Sequence, residues 1–425
     1  MAAKRSSVVT NFGALKLKVD IQRRIDRIAG QIICGILSLV PRYKPHPRGY
    51  VPRNILVIML SEMGSLVLAQ PMFSFLSERY PHARIYALLF QRNRECLELF
   101  DSVPSEHILT IRDDSFQALT GDVIRAILRM RAIGVDAVID CELFSRISSI
   151  LSFLSGAKLR VGFHPHTQEG LYRGSFINRP VLYNPYHHIS TQFITLAYAL
   201  NPALGGAPTV KRKVRGEALF SPRLTIAPEA IESFRDRLTR DFPGVGARKL
   251  ALLYPGGGLL PIRAWPEENF SAVARDLIRN GYAVGIIGLK GDHAVAARIV
   301  SRISAADCFD LTGYTRTLRE LITLFHLAAL LITNDGGPGH FASLTPMPAI
   351  VLFGPETPVL YGPIGKQTLS LYAGLSCSPC LTAYNHRNSP CDGNNVCLKA
   401  ISPKMVLREA YRLLAPPSET SVSDG

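Results

Sequence analysis

Two hydrophobic patterns alternate along this chain. Short continuous apolar runs, Ile55 to Leu60, "ARIYALLF", "DAVIDCELF" and "LRVGF", are separated by stretches long enough for a helix, the first from Leu66 to Tyr80. The pattern weakens between Asn201 and Lys249, where "NPALGGAP" and "KRKVRGE" read as loop and a short helix is predicted from Pro228 to Asp241. It then restarts with "LALLYPGGG", "YAVGIIGLKG", "CFDLTG", "ALLITNDGG", "AIVLFG" and "LSLYAG". Continuous apolar strands alternating with helices predict parallel sheets covered on both faces. The fold class is therefore α/β, with two Rossmann-like βα domains over residues 51–205 and 246–376 joined by a linker region at 206–245. Ligands of such open sheets collect at the carboxyl ends of the strands, which places the expected site in the cleft between the two domains.

Outside this core lie a basic segment at 1–50, a Cys-rich segment at 377–400 and, at 401–425, a helix to Leu414 followed by a polar tail predicted to be disordered. The N-terminal segment has its own pattern. Ile21, Ile25, Ile28, Ile32 and Ile36 form a helical stripe beside Arg23, Arg24 and Arg27. A basic amphipathic helix suits an anionic bilayer interface, or it packs on the chain's own body. The apolar stretch Ile28 to Val40 spans 13 residues including Gln31 and Ser38, too short to cross a membrane. It lacks a small-residue cleavage site, so a secretory signal is the weaker reading.

Charge changes the picture in one respect. The formal net charge is +15 over 425 residues, which calls for an anionic partner. Residues 1–50 hold ten Lys and Arg against two Asp, so about half of the excess sits in that arm, and no nucleic-acid partner is expected.

Three loops at strand ends in the second half carry candidate chemistry. In "YPGGGLLPIRAWP", Gly256 and Gly257 let backbone approach a ligand, Arg263 supplies a fixed cation and Trp265 a flat face. In "GLKGDH", Asp292 stands where an acid can hold ribose hydroxyls. In "LLITNDGGPGHFAS", Asp335 to Gly339 form a turn into a helix that starts at His340, where free N–H groups of Gly336, Gly337 and Gly339 can meet an anion. Each loop alone is as readily structural; their order and spacing give them weight.

Together these stretches resemble glycosyltransferase family 9, the heptosyltransferase-like enzymes of the two-domain GT-B fold. "NDGGPGHFASLTPMPAIVLFGPETP" looks like the family's Asp-Ser-Gly-Pro-x-His-x-Ala stretch, strand and Phe-Gly-Pro-Thr. "LLYPGGG" with "RAWPEENFSAVARDL", "DLTGYTRTLRELITLFHLAALLITND" and "NILVIMLSEMGSLVLAQPMFSFL" are similar to further family elements, so the resemblance covers roughly residues 53–375. It implies inverting, metal-independent transfer of a sugar from an ADP-heptose-like nucleotide-diphosphate donor to a glycan or lipid-linked acceptor hydroxyl. The enzyme would build lipopolysaccharide or a related surface glycan at the cytoplasmic face of a bacterial plasma membrane, as a peripheral protein. Arg263 and the glycine amides would bind the diphosphate, Asp292 the ribose, and Asp335, His340, Trp265, Gly256 and Gly257 would shape the donor site.

Two departures qualify this. The family usually has Gly-Asp where this chain has Gly64-Ser65, and a serine hydroxyl is too weak a general base. Glu62 is the substitute candidate. Gly336 stands where the family often has Ser or Thr, leaving only backbone donors there. These losses motivate an alternative, a catalytically impaired relative that binds nucleotide sugar in a regulatory or scaffolding role. A dinucleotide oxidoreductase is less attractive, because neither glycine loop reads Gly-x-Gly-x-x-Gly with an acid about 20 residues on.

No cofactor is required for the chemistry, but the cysteines allow a structural zinc. Cys377, Cys380, Cys391 and Cys397 form Cys-x2-Cys-x10-Cys-x5-Cys, which resembles a tetrathiolate site with a wide second pair. Disulfides or free thiols are the other readings. Cys34, Cys96, Cys141 and Cys308 are isolated in apolar contexts and read as core. His164, His166, His187 and His188, with Arg173, read first as loop residues and second as an acceptor-pocket wall. His386 and Arg387 become site contacts if the tail folds over the cleft.

Overall fold

The computed structural model describes residues 24–40, 50–60, 62–143, 145–164, 172–201, 203–206, 208–214, 222–246, 248–258, 260–383 and 387–415. Ile21, Arg23, His166, His386 and the polar tail after Ala415 lie outside them. The chain divides into two units: residues 1–222 with 359–362 and 380–389, and residues 223–358 with 363–379 and 390–425. The short returns at 359–362 and 380–389 have no signature in the sequence pattern.

The first unit carries a six-stranded sheet of β1 (Asn54–Ile58), β2 (Arg84–Phe90), β3 (Ile108–Ile111), β4 (Ala137–Asp140), β5 (Leu159–Phe163) and β6 (Arg179–Val181). Its order is β3-β2-β1-β4-β5-β6, and every pairing is parallel. The strands are buried almost throughout, as expected where helices cover both faces. The crossover helix Phe116–Ile133 starts where the Ser115 hydroxyl accepts from Ala118 N–H at 3.2 Å. It stops at Gly134, whose φ of 70° is the left-handed conformation glycine adopts without strain.

The second unit repeats the plan with β7 (Lys249–Tyr254), β8 (Tyr282–Gly288), β9 (Cys308–Thr312), β10 (Ala328–Asn334), β11 (Ala349–Phe353) and β12 (Thr368–Tyr372). The order, β9-β8-β7-β10-β11-β12, is again parallel and doubly wound. Its core includes residues far along the sequence: Cys397, Leu398, Ile401, Val406 and Ala410 pack with Trp265, Phe270 and Leu277.

The strand order reverses between β1 and β4 in one sheet and between β7 and β10 in the other. Such a reversal is where the loops leaving the two strands turn to opposite faces and where ligands of open α/β sheets bind.

The N-terminal helical segment runs through Asp26–Gly30 into Gln31–Leu37 and packs on the first unit by a narrow edge. Cys34 is fully buried against Ile150, Phe176 and Ile177. The Asp26 carboxylate accepts from the N–H groups of Arg146 and Ile147, each at 2.9 Å, so it caps the helix Arg146–Leu154 from a distance. The stripe Ile25, Ile28, Ile32 and Ile36 faces outward. The segment does pack on its own body, but not through the stripe.

Candidate active site

At the switch point of the second unit, one side chain ties two loops together. Asn334 ends β10 fully buried; its Oδ1 accepts from Trp265 N–H at 3.0 Å, while its Nδ2 donates to the carbonyls of Pro255 and Gly256 at 2.9 and 3.1 Å. The loop after β7 is thereby fixed against the loop after β10. Between them stands Arg263, whose Nη2 donates to Glu356 Oε1 at 3.0 Å and whose Nε lies 3.4 Å from Asp335 Oδ2. Both carboxylates are buried. They fix the plane of the guanidinium, as two anions on a rigid fork do.

Gly256 adjoins Asp292. A Cβ at Gly256 would lie 2.8 Å from Tyr254 Oη and 3.1 Å from Asp292 Oδ1, so this loop closes on that acid only as glycine. Asp292 Oδ2 accepts from Leu289 N–H at 2.8 Å, and burial lifts its carboxyl above the ordinary value. Gly257 turns the same loop, its carbonyl accepting from Leu260 N–H at 3.2 Å.

The stretch Asp335 to His340 is a turn into the short helix Gly337–Ala342. Gly339 is there for packing, since a Cβ would sit 2.8 Å from Val351 Cγ2. At Gly336 a side chain would meet nothing nearer than 4.0 Å, so that glycine faces open space. His340 is buried in the helix.

Trp265 requires a correction. Its indole is 1% exposed, stands edge-on to Phe270 at 5.0 Å between centroids, and donates from Nε1 to the Ile401 carbonyl at 2.9 Å. It is a core residue holding the C-terminal segment, and offers a ligand no flat face. Only its backbone N–H takes part in arranging the site.

The first unit forms its own cleft at the β1 and β4 loops, lined among others by Met59, Glu62, Ser65, Glu142, Tyr361 and Arg387. Glu62 is exposed at the start of the helix Met63–Leu68 and is ion-paired with Arg387, whose guanidinium lies 5.4 Å from the Tyr361 ring centroid. Ser65 is on that helix. Glu142 is buried and accepts the Leu60 N–H at 2.6 Å. Tyr361 and Arg387 come from the two returns of the chain into this unit.

Other expected groups take structural positions. Arg173 and Asp140 form a fully buried ion pair, joined by Ser148. His188 accepts from Ser190 N–H at 3.3 Å, and its Nε2 lies 2.8 Å from the Gly362 carbonyl; burial pushes its basicity down. His187 is exposed. Cys34, Cys96, Cys141 and Cys308 are buried core thiols.

Among the described residues no three His, Cys, Asp or Glu side chains are grouped to hold a metal ion. The tetrathiolate expected of Cys377, Cys380, Cys391 and Cys397 is therefore not assembled among the described residues, and none of the four is in a disulfide. Cys397 is drawn into the second unit's core, while Cys377 and Cys391 are exposed and Cys380 belongs to the first unit.

Sequence reading missed Asn334, Glu356, Glu142 and Tyr361. The position of Asn334 beside Asp335 and the acid in "FGPE" were the available signals. A buried amide that bridges three backbone groups, however, is visible only once the loops are placed.

Two doubly wound parallel sheets, the second with glycine-rich loops at its switch point, define a GT-B-like glycosyltransferase architecture. Residues 123–389 match the model of glycosyltransferase family 9 (heptosyltransferase), and the chain belongs to that family. It is 23% identical over 369 residues to lipopolysaccharide heptosyltransferase 2 of Salmonella typhimurium, covering 85% of this chain and 99% of that one. Lipooligosaccharide heptosyltransferase 2 of Haemophilus ducreyi is likewise 23% identical over 371 residues, with 85% and 99% covered. In fold it is similar to the Escherichia coli ADP-heptose lipopolysaccharide heptosyltransferase II, with a TM-score of 0.67 at 21% identity over 85% of this chain and 98% of the other. An Escherichia coli heptosyltransferase solved with ADP-2-deoxy-2-fluoro heptose gives 0.57 at 16% identity, with 84% and 99% covered.

Proposed function

We propose that this protein transfers a heptose or related sugar from an ADP-heptose-like donor to a hydroxyl of lipopolysaccharide or another bacterial surface glycan. Transfer proceeds with inversion and without a catalytic metal, at the inner face of the plasma membrane, where the protein is peripheral. The observation that carries the reading is the convergence of Gly256, Arg263, Asp292 and Asp335 at one switch point, in a chain that spans almost the whole length of lipopolysaccharide heptosyltransferases.

In this reading the donor diphosphate lies at the turn of Gly336 and Gly337. Their amides and Arg263 stabilise the negative charge that grows on the leaving diphosphate, where preorganised donors contribute most. Asp292 takes the ribose hydroxyls. His340 and Gly339 serve by packing the short helix in place. Glu62 accepts the acceptor's proton as the sugar's anomeric carbon is attacked, oriented by Arg387; Ser65 lies beside it and does not act as base. Glu142, in the same cleft, is the competing carboxylate.

The test is incubation of the purified full chain with ADP-heptose and a lipopolysaccharide core acceptor, following ADP release and acceptor mass. A heptose-sized mass gain that persists in EDTA supports the reading. Donor binding without any transfer would instead favour a regulatory relative.

A further inference from the structure

The N-terminal helical segment presents an arrangement that the transferase chemistry does not use. Ile28, Ile32 and Ile36 keep 59–60% of their surface exposed, and Ile25, Ile33, Leu39 and Val40 are exposed beside them. Exposed large apolar residues scattered singly are ordinary, but seven within 16 residues, on one helical segment and the turn that ends it, form a patch that needs a partner. The segment is nevertheless held firmly. Asp26 caps the helix Arg146–Leu154, Cys34 is buried, and a Cβ at Gly30 would lie 2.9 Å from Arg146 Cβ, so the backbone is pressed against the body there. Ser38 Oγ accepts from Ser175 N–H at 3.0 Å and lies 2.8 Å from Tyr172 Oη. The isoleucines are therefore displayed from a docked helix.

We infer that this outward isoleucine face docks flat on an anionic lipid bilayer and is the surface by which the protein holds the membrane. The inference rests on the membrane-side location proposed above and assigns the structure responsible. Charge selects the occupant. Arg24 and Arg27 are exposed beside the isoleucines, and eight more Lys and Arg flank them within residues 1–50, opposed by Asp20 and Asp26. Asp26 is turned inward onto the Arg146 and Ile147 amides, so it does not offset the cations on the displayed face. Basic residues bordering an apolar face on a helix suit acidic headgroups above an acyl boundary. A second copy of the same chain would bring like charges together. No described helix is long and apolar enough to cross a membrane, so binding through this face would be interfacial.

The experiment is co-sedimentation of the full chain with vesicles of phosphatidylglycerol and phosphatidylcholine in equal parts, and with pure phosphatidylcholine. The wild type should sediment with the anionic vesicles and be released by high salt. The Ile28→Glu/Ile32→Glu double variant should bind at least about tenfold more weakly, because two apolar side chains no longer enter the interface. Arg24→Glu/Arg27→Glu should lose roughly tenfold or more, mainly on the anionic vesicles. Ile32→Ser is the milder variant that guards against misfolding. All should transfer sugar to a soluble, delipidated acceptor like the wild type. Equal vesicle binding by wild type and double variant overturns the inference, as does a wild-type dimer that the double variant splits and that ignores vesicles. Transfer without vesicle binding sinks the docking surface alone; vesicle binding without transfer sinks the transferase reading alone.

Discussion

The Asn334 carboxamide accepts the Trp265 backbone N–H at 3.0 Å, and this bond makes the loop after β7 and the end of β10 one body. The indole of Trp265 points the other way and binds the Ile401 carbonyl at 2.9 Å, so the same residue fastens the C-terminal segment to the core.

Asn334→Ala leaves the Trp265 N–H and the Pro255 and Gly256 carbonyls buried without their partner. The expected cost is about 2–4 kcal/mol in urea unfolding of the second unit, together with a raised KM for the donor. Asn334→Asp should do no better, since it sets a carboxylate oxygen against two carbonyls. Wild-type stability in both variants would remove Asn334 from its assigned role.

Arg263 stands between the buried carboxylates of Asp335 and Glu356. Arg263→Met should destabilise by about 3–5 kcal/mol, because two buried carboxylates lose this cation in a dry setting. Adding Glu356→Gln should recover part of the loss. A double-mutant cycle read by chemical denaturation checks this, and strictly additive effects would show that the pair is not coupled.

For the base, Glu62→Gln should lower kcat by about 10²–10⁴ with little change in donor affinity, the range for a general base. Ser65→Ala should retain most activity. If Glu142→Gln reproduces the loss while Glu62→Gln does not, the base is Glu142. Arg387→Ala should raise the acceptor KM and lower kcat modestly, since it orients Glu62 without touching the proton.

His164 gives a pH dependence with a definite sign. Burial, reinforced by the nearby Arg173 charge, lowers its pKa from 6.5 to about 4 in the folded chain. The neutral imidazole is thus favoured by folding, and its stabilising effect is complete above pH 6.5. Between about 6.5 and 4 the unfolded chain takes up a proton that the folded one does not, so stability falls as pH drops through that window. Because the ring is partly exposed, the loss should be on the order of 1–2 kcal/mol. Tm measured across this range should fall less in His164→Asn, and parallel profiles would contradict the assignment.

The hydrophobic pattern by itself determined ten of the twelve strands and the loops at their ends, because a strand buried on both faces must be apolar throughout and the chain must turn where that run stops; the short, half-buried β3 and β6 carry no such run. "LALLYPGGG" and "ALLITNDGG" mark such stops, and of the glycines after them Gly256 and Gly257 are crowded by their surroundings while Gly336 faces open space. Four matters were decided by tertiary structure. The isoleucine stripe of the N-terminal helix reads the same whether it meets core or solvent; the edge made by Asp26, Gly30 and Cys34 turned it outward. A lone tryptophan is equally compatible with a pocket wall and a core, and the Ile401 carbonyl took it into the core. Four cysteines at metal-like spacing could have converged, but Cys397 was drawn into an apolar cluster by the residues around it. Tyr361 and Arg387 joined a unit whose sheet ends far earlier in the chain. Local pattern records only what each segment must bury, whereas these outcomes depend on which distant segment supplies the surface.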